Sequence, residues 1–249
     1  LTSSSDRNTY IIQPTDNLSL NTVETNAGTA FIAALAGNIW NGNTTGHNVL
    51  SGKTYLFASQ DIGADGNPIT TEVGNIEGES TNGSTWIVNY GALDQGGVVE
   101  GSEPGMYAGG DSETTATSPM VISEDDIAIG NITRTADESP ELHYDNITIK
   151  SGVTVESLDG GDIIFNAGDD FTLEAGAVIR TTGDVIINVD FGNLDPGVGS
   201  IVNIFGDIYA GNLIILGAGD HDEINAEGHI EIDGVIEIYG EETEDTIVF

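Results

Sequence analysis

The residues of this sequence with chemistry to offer are carboxylates set in glycine turns. Asp220, Asp222 and Glu223 lie in Gly217-Ala-Gly-Asp-His-Asp-Glu-Ile-Asn225, Asp245 follows in the next acidic turn, and Asp169 and Asp170 form an earlier pair. Calcium is held by hard oxygens, about six to eight at a time, and Asp-rich glycine turns repeated along one edge supply them. These six carboxylates are the candidate Ca2+ ligands, Asp220, Asp222, Glu223 and Asp245 leading and Asp169 and Asp170 behind. The competing reading is of solvated Asp/Gly turns on a salt-adapted surface. Cysteine is absent, which removes thiol chemistry, disulfides and thiolate metal sites.

Catalysis asks for more than carboxylates. A polyuronate lyase needs a basic residue beside the scissile unit, and the repeat region offers only Arg134, Lys150 and Arg180, scattered in a negative field. A glycosidase needs converging carboxylates, one of them with a raised pKa. In so acidic a chain some pair always looks suitable, so pairs alone carry little weight. No Ser-His-Asp arrangement, phosphate loop or zinc spacing is present, and the expectation is of no enzymatic activity.

The charge narrows the partners. Five Lys and Arg stand against 41 Asp and Glu, a formal net charge of −36, and 28 of those acids fall in residues 121–249. Such a surface repels nucleic acid, anionic lipid and polyuronates, and divalent cations or high salt relieve it. The longest apolar run, Phe31-Ile-Ala-Ala-Leu-Ala36, is far too short to cross a membrane. Together with the missing cysteines this predicts an extracellular or cell-surface protein, and the first residue, Leu1, fits a removed leader or a trimmed chain.

Repetition must position the carboxylates. Asp145-Asn-Ile-Thr-Ile-Lys-Ser-Gly-Val-Thr-Val-Glu-Ser157 matches Asp169-Asp-Phe-Thr-Leu-Glu-Ala-Gly-Ala-Val-Ile-Arg-Thr181 position by position, one period on. Gly211-Asn-Leu-Ile-Ile-Leu-Gly217 returns after a period of nearly the same length as Gly234-Val-Ile-Glu-Ile-Tyr-Gly240. Short alternating strands repeated at this period predict an all-β fold, a parallel β-helix (β-solenoid) with rungs of 22–24 residues. Ile147, Ile149, Val153 and Val155 share one face, and Phe171, Leu173, Ala177 and Ile179 stack on them one rung later. Ile163 and Phe165, Val185 and Ile187, Leu213 and Ile215, and Ile236 and Ile238 continue such interior columns. The segment from Asp190 to Ser200 lengthens one repeat and is expected to leave the body as a loop.

Before the repeats the text is less regular. Residues 1–90 read as a β-rich part that caps or continues the solenoid, with strands at Thr9–Ile12, Lys53–Phe57 and Thr85–Tyr90. Ala27–Trp40 holds the only plausible helix, though a strand-rich reading is slightly preferred. Residues 91–118, rich in Gly, Ser, Thr and Glu, read as a loop or linker. The solenoid is assigned to 119–249, with about five rungs. Asn17, Asn43, Asn82, Asn131 and Asn146 stand in glycosylation sequons, a weak signal in so Asn-rich a chain.

The repeat text, Gly-Asp-Ile-Ile-Phe through Ala-Gly-Asp-Asp-Phe-Thr-Leu-Glu-Ala-Gly-Ala-Val-Ile, resembles the β-helix repeats of filamentous-haemagglutinin-type adhesins and giant secreted surface proteins. The turn Gly217–Asn225 is similar to a degenerate nonapeptide of RTX calcium-binding β-rolls, with Asp222 and Ile224 in the matching places. Asp169-Asp170 with Gly228-His229 loosely resembles polygalacturonase elements whose other partners are missing. The resemblance to adhesins implies a secreted structural or adhesive module, stabilised by calcium. Its expected partners are itself, by axial stacking or as neighbouring repeats of a larger chain, and glycans or other cell-surface ligands. A carbohydrate-active enzyme or glycan-binding module is the alternative. The last strand-like stretch, Asp245-Thr-Ile-Val-Phe249, motivates the stacking expectation, because an open rung presents unpaired backbone groups.

Overall fold

The computed structural model describes residues 1–26, 28–43, 45–96, 98, 105–108, 112–117, 146–158, 160–191, 199–217, 221–240 and 246–248. The alternating stretches Met120-Val-Ile122 and Asp126-Ile-Ala-Ile-Gly-Asn-Ile-Thr133, which read as strands in the sequence, and most of the Asp190–Ser200 excursion lie outside them. The described residues form strands, turns and bends only, stacked as a parallel β-solenoid of about eight turns. Three ladders run its length. The first holds β1 (Thr2–Ser5), β4 (Thr22–Thr25), the start of β7 (Val49–Ala58) and of β8 (Ile69–Ser80). At β8 the register shifts: its first residues, Ile69 to Thr71, pair β9 (Thr85–Tyr90), while Asn75 and Ile76 in its middle pair β10 (Leu93–Gln95), from which the ladder goes on through β13 (Ile147–Ile149), β16 (Phe171–Leu173), β19 (Ile201–Ile204), β22 (Glu223–Ala226) and β25 (Thr246–Val248).

The second ladder holds β2 (Thr9–Gln13), β5 (Thr29–Ala34), the later parts of β7 and β8, β11 (Gly105–Ala108), β14 (Thr154–Ser157), β17 (Val178–Arg180), β20 (Asp207–Ala210) and β23 (Ile230–Ile232). The third runs from β3 (Leu18–Leu20) and β6 (Ile39–Asn41) through Ile62, which bridges Ile39 on one side and Thr85 on the other, to β9 (Thr85–Tyr90), β12 (Ser112–Thr117), β15 (Ile163–Ala167), β18 (Asp184–Asn188), β21 (Asn212–Leu216) and β24 (Ile236–Tyr239).

The N-terminal part therefore continues the solenoid. Thr29–Ala34 and Ile39–Asn41 of the would-be helix are β5 and β6, because Ala30, Ile32 and Ala34 alternate into the core with period two and Ile39 enters it again from the next strand. The segment 91–118, loop-like by composition, carries β10, β11 and β12, each paired with a strand of the turn before and of the turn after. Once a ladder stands on either side, neighbouring backbone decides the conformation and propensity counts for less.

The interior columns fall in the register that the repeat predicts. Ile147 lies opposite Phe171, Ile149 opposite Leu173 and Val155 opposite Ile179, all essentially fully buried. Phe165 and Phe171 pack ring against ring at 5.0 Å inside the tube. The column thins at its end: Ile236 aligns with Leu213 yet is 48% exposed, since among the described residues β24 has a neighbouring strand on one side only. The excursion after Asp190 shows in the pairing, where the step along the chain from Phe171 to its partner Val202 is longer than the step from Ile147 to Phe171.

Phe171→Ala is expected to cost about 3–5 kcal/mol by cavity formation, whereas Ile236→Ala at the open end costs under ~1 kcal/mol. Denaturant unfolding of the two variants measures the contrast, and equal losses would contradict the burial gradient.

Candidate functional site

Among the described residues, Asn and Asp side chains at the bends between ladders hold backbone. Just before the third-ladder strands, Asn17 Oδ1 accepts the amide N–H of Asn38 at 2.9 Å, Asn38 Oδ1 that of Asp61 at 2.8 Å, and Asp61 Oδ1 that of Ser84 at 2.9 Å. The same column resumes further along: Asp162 Oδ1 accepts from Asp184 N at 2.9 Å, Asp184 Oδ1 from the Asn212 side-chain amide at 2.7 Å, and Asn212 Oδ1 from Val235 N at 2.9 Å. Each Asn or Asp side chain reaches the turn that follows it. At these places the chain bends, and a side-chain oxygen takes a donor of the next rung, a backbone N–H in every case but that of Asp184.

A second column occupies the bend before the first ladder. Asn146 Oδ1 accepts from Asp170 N at 3.0 Å, Asp170 Oδ1 from Ile201 N at 2.8 Å, and Asp222 Oδ1 from Ser200 N at 2.9 Å. Glycine beside the column makes room for it. A Cβ on Gly83 would come within 2.4 Å of Asp61 Oδ1, and one on Gly234 within 2.2 Å of Asn212 Oδ1. The sequon residues Asn17 and Asn146 thus use their side chains within the columns.

The candidate calcium ligands are placed accordingly. Asp170 and Asp222 accept backbone N–H groups, Asp169 and Asp222 are almost wholly buried, and Glu223 Oε1 accepts from the Asn225 side chain at 3.0 Å. Asp220 and Asp245 lie outside the described residues. Among the described residues no three acidic or His side chains gather as a metal-binding group. Of the described four, Asp170 and Asp222 each use a carboxylate oxygen at a bend. Asp169 and Asp170 precede β16 while His229 precedes β23, so the loose Asp-Asp/Gly-His likeness is split between different bends. His229 instead packs against Tyr209, with Nε2 at 3.6 Å from Glu231.

Two charged groups outside those columns matter to the electrostatics. Lys150 Nζ stands 3.4 Å from Asp94 and 3.3 Å from Glu174, joining three successive turns. Burial alone would lower the Lys150 pKa, but the two carboxylates raise it above its ordinary value. The Ser151 amide N–H, donating at 2.8 Å, is the largest influence holding the Glu174 carboxyl below the usual range, with Lys150 adding to it. His47, which sequence reading passes over, is 7% exposed beside Glu72 (Nε2–Oε2 3.2 Å) and edge-on to Tyr90 at 5.2 Å. Burial pushes its pKa down against the opposing pull of Glu72 and of the Thr71 backbone, and burial likewise pushes the Tyr90 hydroxyl up.

The outer surface carries two aromatic features. Tyr10 and Phe31 stack at 4.8 Å with rings nearly parallel, and Tyr55 follows at 6.5 Å. On β14, β17, β20 and β23 an outward row runs Glu156, Arg180, Tyr209 and Glu231 in register. Comparison with known proteins finds no matching family model, no matching curated protein and no matching solved structure.

Asp61→Ala should destabilise the protein by about 1–3 kcal/mol, because the Ser84 N–H loses its acceptor, while Asp61→Asn keeps the oxygen and most of the stability. Thermal or denaturant melts decide it, and equal effects of the two changes would show that charge alone matters. A second expectation concerns His47. With a native pKa below the unfolded value of about 6.5, its contribution is complete above that pH and is lost as pH falls toward the native value. The stability difference between native protein and His47→Asn should therefore shrink from pH 7.5 to pH 5, and a constant difference would contradict it.

Proposed function

We propose that this chain is an extracellular structural or adhesive module: a rigid acidic rod that carries surface features along a stack of rungs. The observation that supports this best is the use of the chemistry-bearing side chains. The acids and amides of the bends hold one turn to the next, as Asn17, Asn38 and Asp61 do in sequence, so the turn positions serve the rod itself.

The proposal extends to axial assembly. Val235, Ile236 and Tyr239 near one end and Tyr10 and Ile12 near the other are about half or more exposed. Apolar groups and strand edges at such positions suit an axial neighbour, a second copy or the adjoining repeat of a larger chain. Divalent cations relieve the −36 charge of the rod in this reading, and the turns of Asp220 and Asp245 are where calcium would act with specificity.

Electron microscopy of the purified protein is expected to show rods that associate end to end as concentration rises. Compact globules, or isolated rods at every concentration, would sink the assembly proposal. In parallel, millimolar calcium is expected to raise the melting temperature by more than magnesium does at equal ionic strength. Identical curves would reduce the calcium contribution to screening.

A further inference from the structure

We propose that the outer face of β14, β17, β20 and β23 is a binding site for an uncharged saccharide. The inference rests on the adhesive reading above and names its ligand class. The row Glu156, Arg180, Tyr209 and Glu231 borders a recess of about 250 Å³ that Leu158, Thr182 and Asp233 help to line. Along the chain the lining residues Thr182, Ala210 and Asp233 are followed directly by Gly183, Gly211 and Gly234. A Cβ on Gly183, Gly211 or Gly234 would strike the neighbouring rung, so glycine lets the rungs close up at this bend, and Gly160 is held at φ +80° with Thr182 Oγ1 where its Cβ would stand.

The lining offers both halves of sugar recognition. Arg180 lies over the Tyr209 ring, 5.2 Å from its centre, which fixes the guanidinium plane and the ring together. Its carboxylate neighbour Glu156 is 3.9 Å away, too long for a tight bidentate pair. Guanidinium N–H groups donate, the carboxylates of Glu156, Glu231 and Asp233 accept, and hydroxyls do both, which matches the donor and acceptor pairs of vicinal sugar hydroxyls. Leu158, 56% exposed, and the half-buried Tyr209 ring give an apolar surface for the C–H face of a pyranose. The size suits one sugar unit of a longer chain, being below the roughly 300–1,000 Å³ typical of drug-sized sites.

Charge selects the class. Three carboxylates surround one guanidinium, in a chain of net charge −36, so a uronate or sulfated sugar meets net repulsion. An uncharged hexose or N-acetylhexosamine does not.

The test is binding of the native protein to an immobilised set of cello-, malto-, manno- and N-acetylglucosamine oligosaccharides, with oligogalacturonate as the anionic probe. Saturable binding to at least one uncharged sugar is expected, weakened at least tenfold by Tyr209→Ala and by Arg180→Gln and unchanged by Tyr55→Ala. Circular-dichroism melts confirm that the variants are folded; should Tyr209→Ala unfold, Arg180→Gln and Asp233→Asn carry the comparison. Binding to none of the uncharged sugars, binding indifferent to these changes, or preference for oligogalacturonate would overturn the site. Rods seen by microscopy without sugar binding would remove this site and leave the structural reading standing.

Discussion

A parallel stack of rungs depends on what happens at its bends. Along straight strands each amide finds a carbonyl in the neighbouring turn, but where the chain turns a corner the donors need another acceptor. A buried N–H without one costs about 1–3 kcal/mol, and here the cost would recur with every turn. The Asn and Asp columns answer this. Asp61 bonds Ser84 as Asn38 bonds Asp61, so one side chain per rung fastens the next. Glycine follows as a consequence, because a Cβ at Gly37 or Gly83 would strike the oxygen of the rung before.

The same constraint explains how so acidic a chain stays stacked. Carboxylates on successive rungs repel, yet those that accept backbone N–H groups have their charge spread over the peptide dipoles. Glu174 shows the principle on the surface, where the Ser151 amide does more than Lys150 to favour its ionised form. Lys150 in turn joins the acids of three turns. The core is built mainly of apolar side chains, from Leu20 and Ile32 to Phe165 and Ile187, and the polar groups buried beside them, such as Asn48 and Asn89, are hydrogen-bonded.

Legibility followed regularity. Rungs of nearly equal length, such as Asp145–Ser157 on Asp169–Thr181, put like residues above like, and their columns are legible in the sequence. The first turns differ in length, as the unequal steps from Thr2 to Thr22, from Val23 to Val49 and from Val49 to Thr71 show, so no text repeats and the period is hidden. Gly and Thr in β11 and β12 spoke for a loop because local propensity ignores the ladders on either side. The acidic turns were visible but ambiguous: an Asp before a strand looks alike whether it faces calcium or an amide. A Gly-Asx pair stands ahead of third-ladder strands at Gly37-Asn38, Gly161-Asp162, Gly183-Asp184 and Gly211-Asn212, but it also stands at Gly168-Asp169 and Gly219-Asp220, so it does not separate the two. The Arg180–Tyr209 row had no such signature, since a lengthened turn of chain separates two residues that lie side by side.

Native-state hydrogen exchange at the bends tests the central claim most directly. If side-chain oxygens of one turn hold the amides of the next, then Asn38, Asp61, Ser84 and Asp184, turn or strand-edge residues, exchange nearly as slowly as the mid-strand amides of Ile32 and Ile187. Exchange at the bend amides as fast as in an open turn, with the strands protected, would contradict the account.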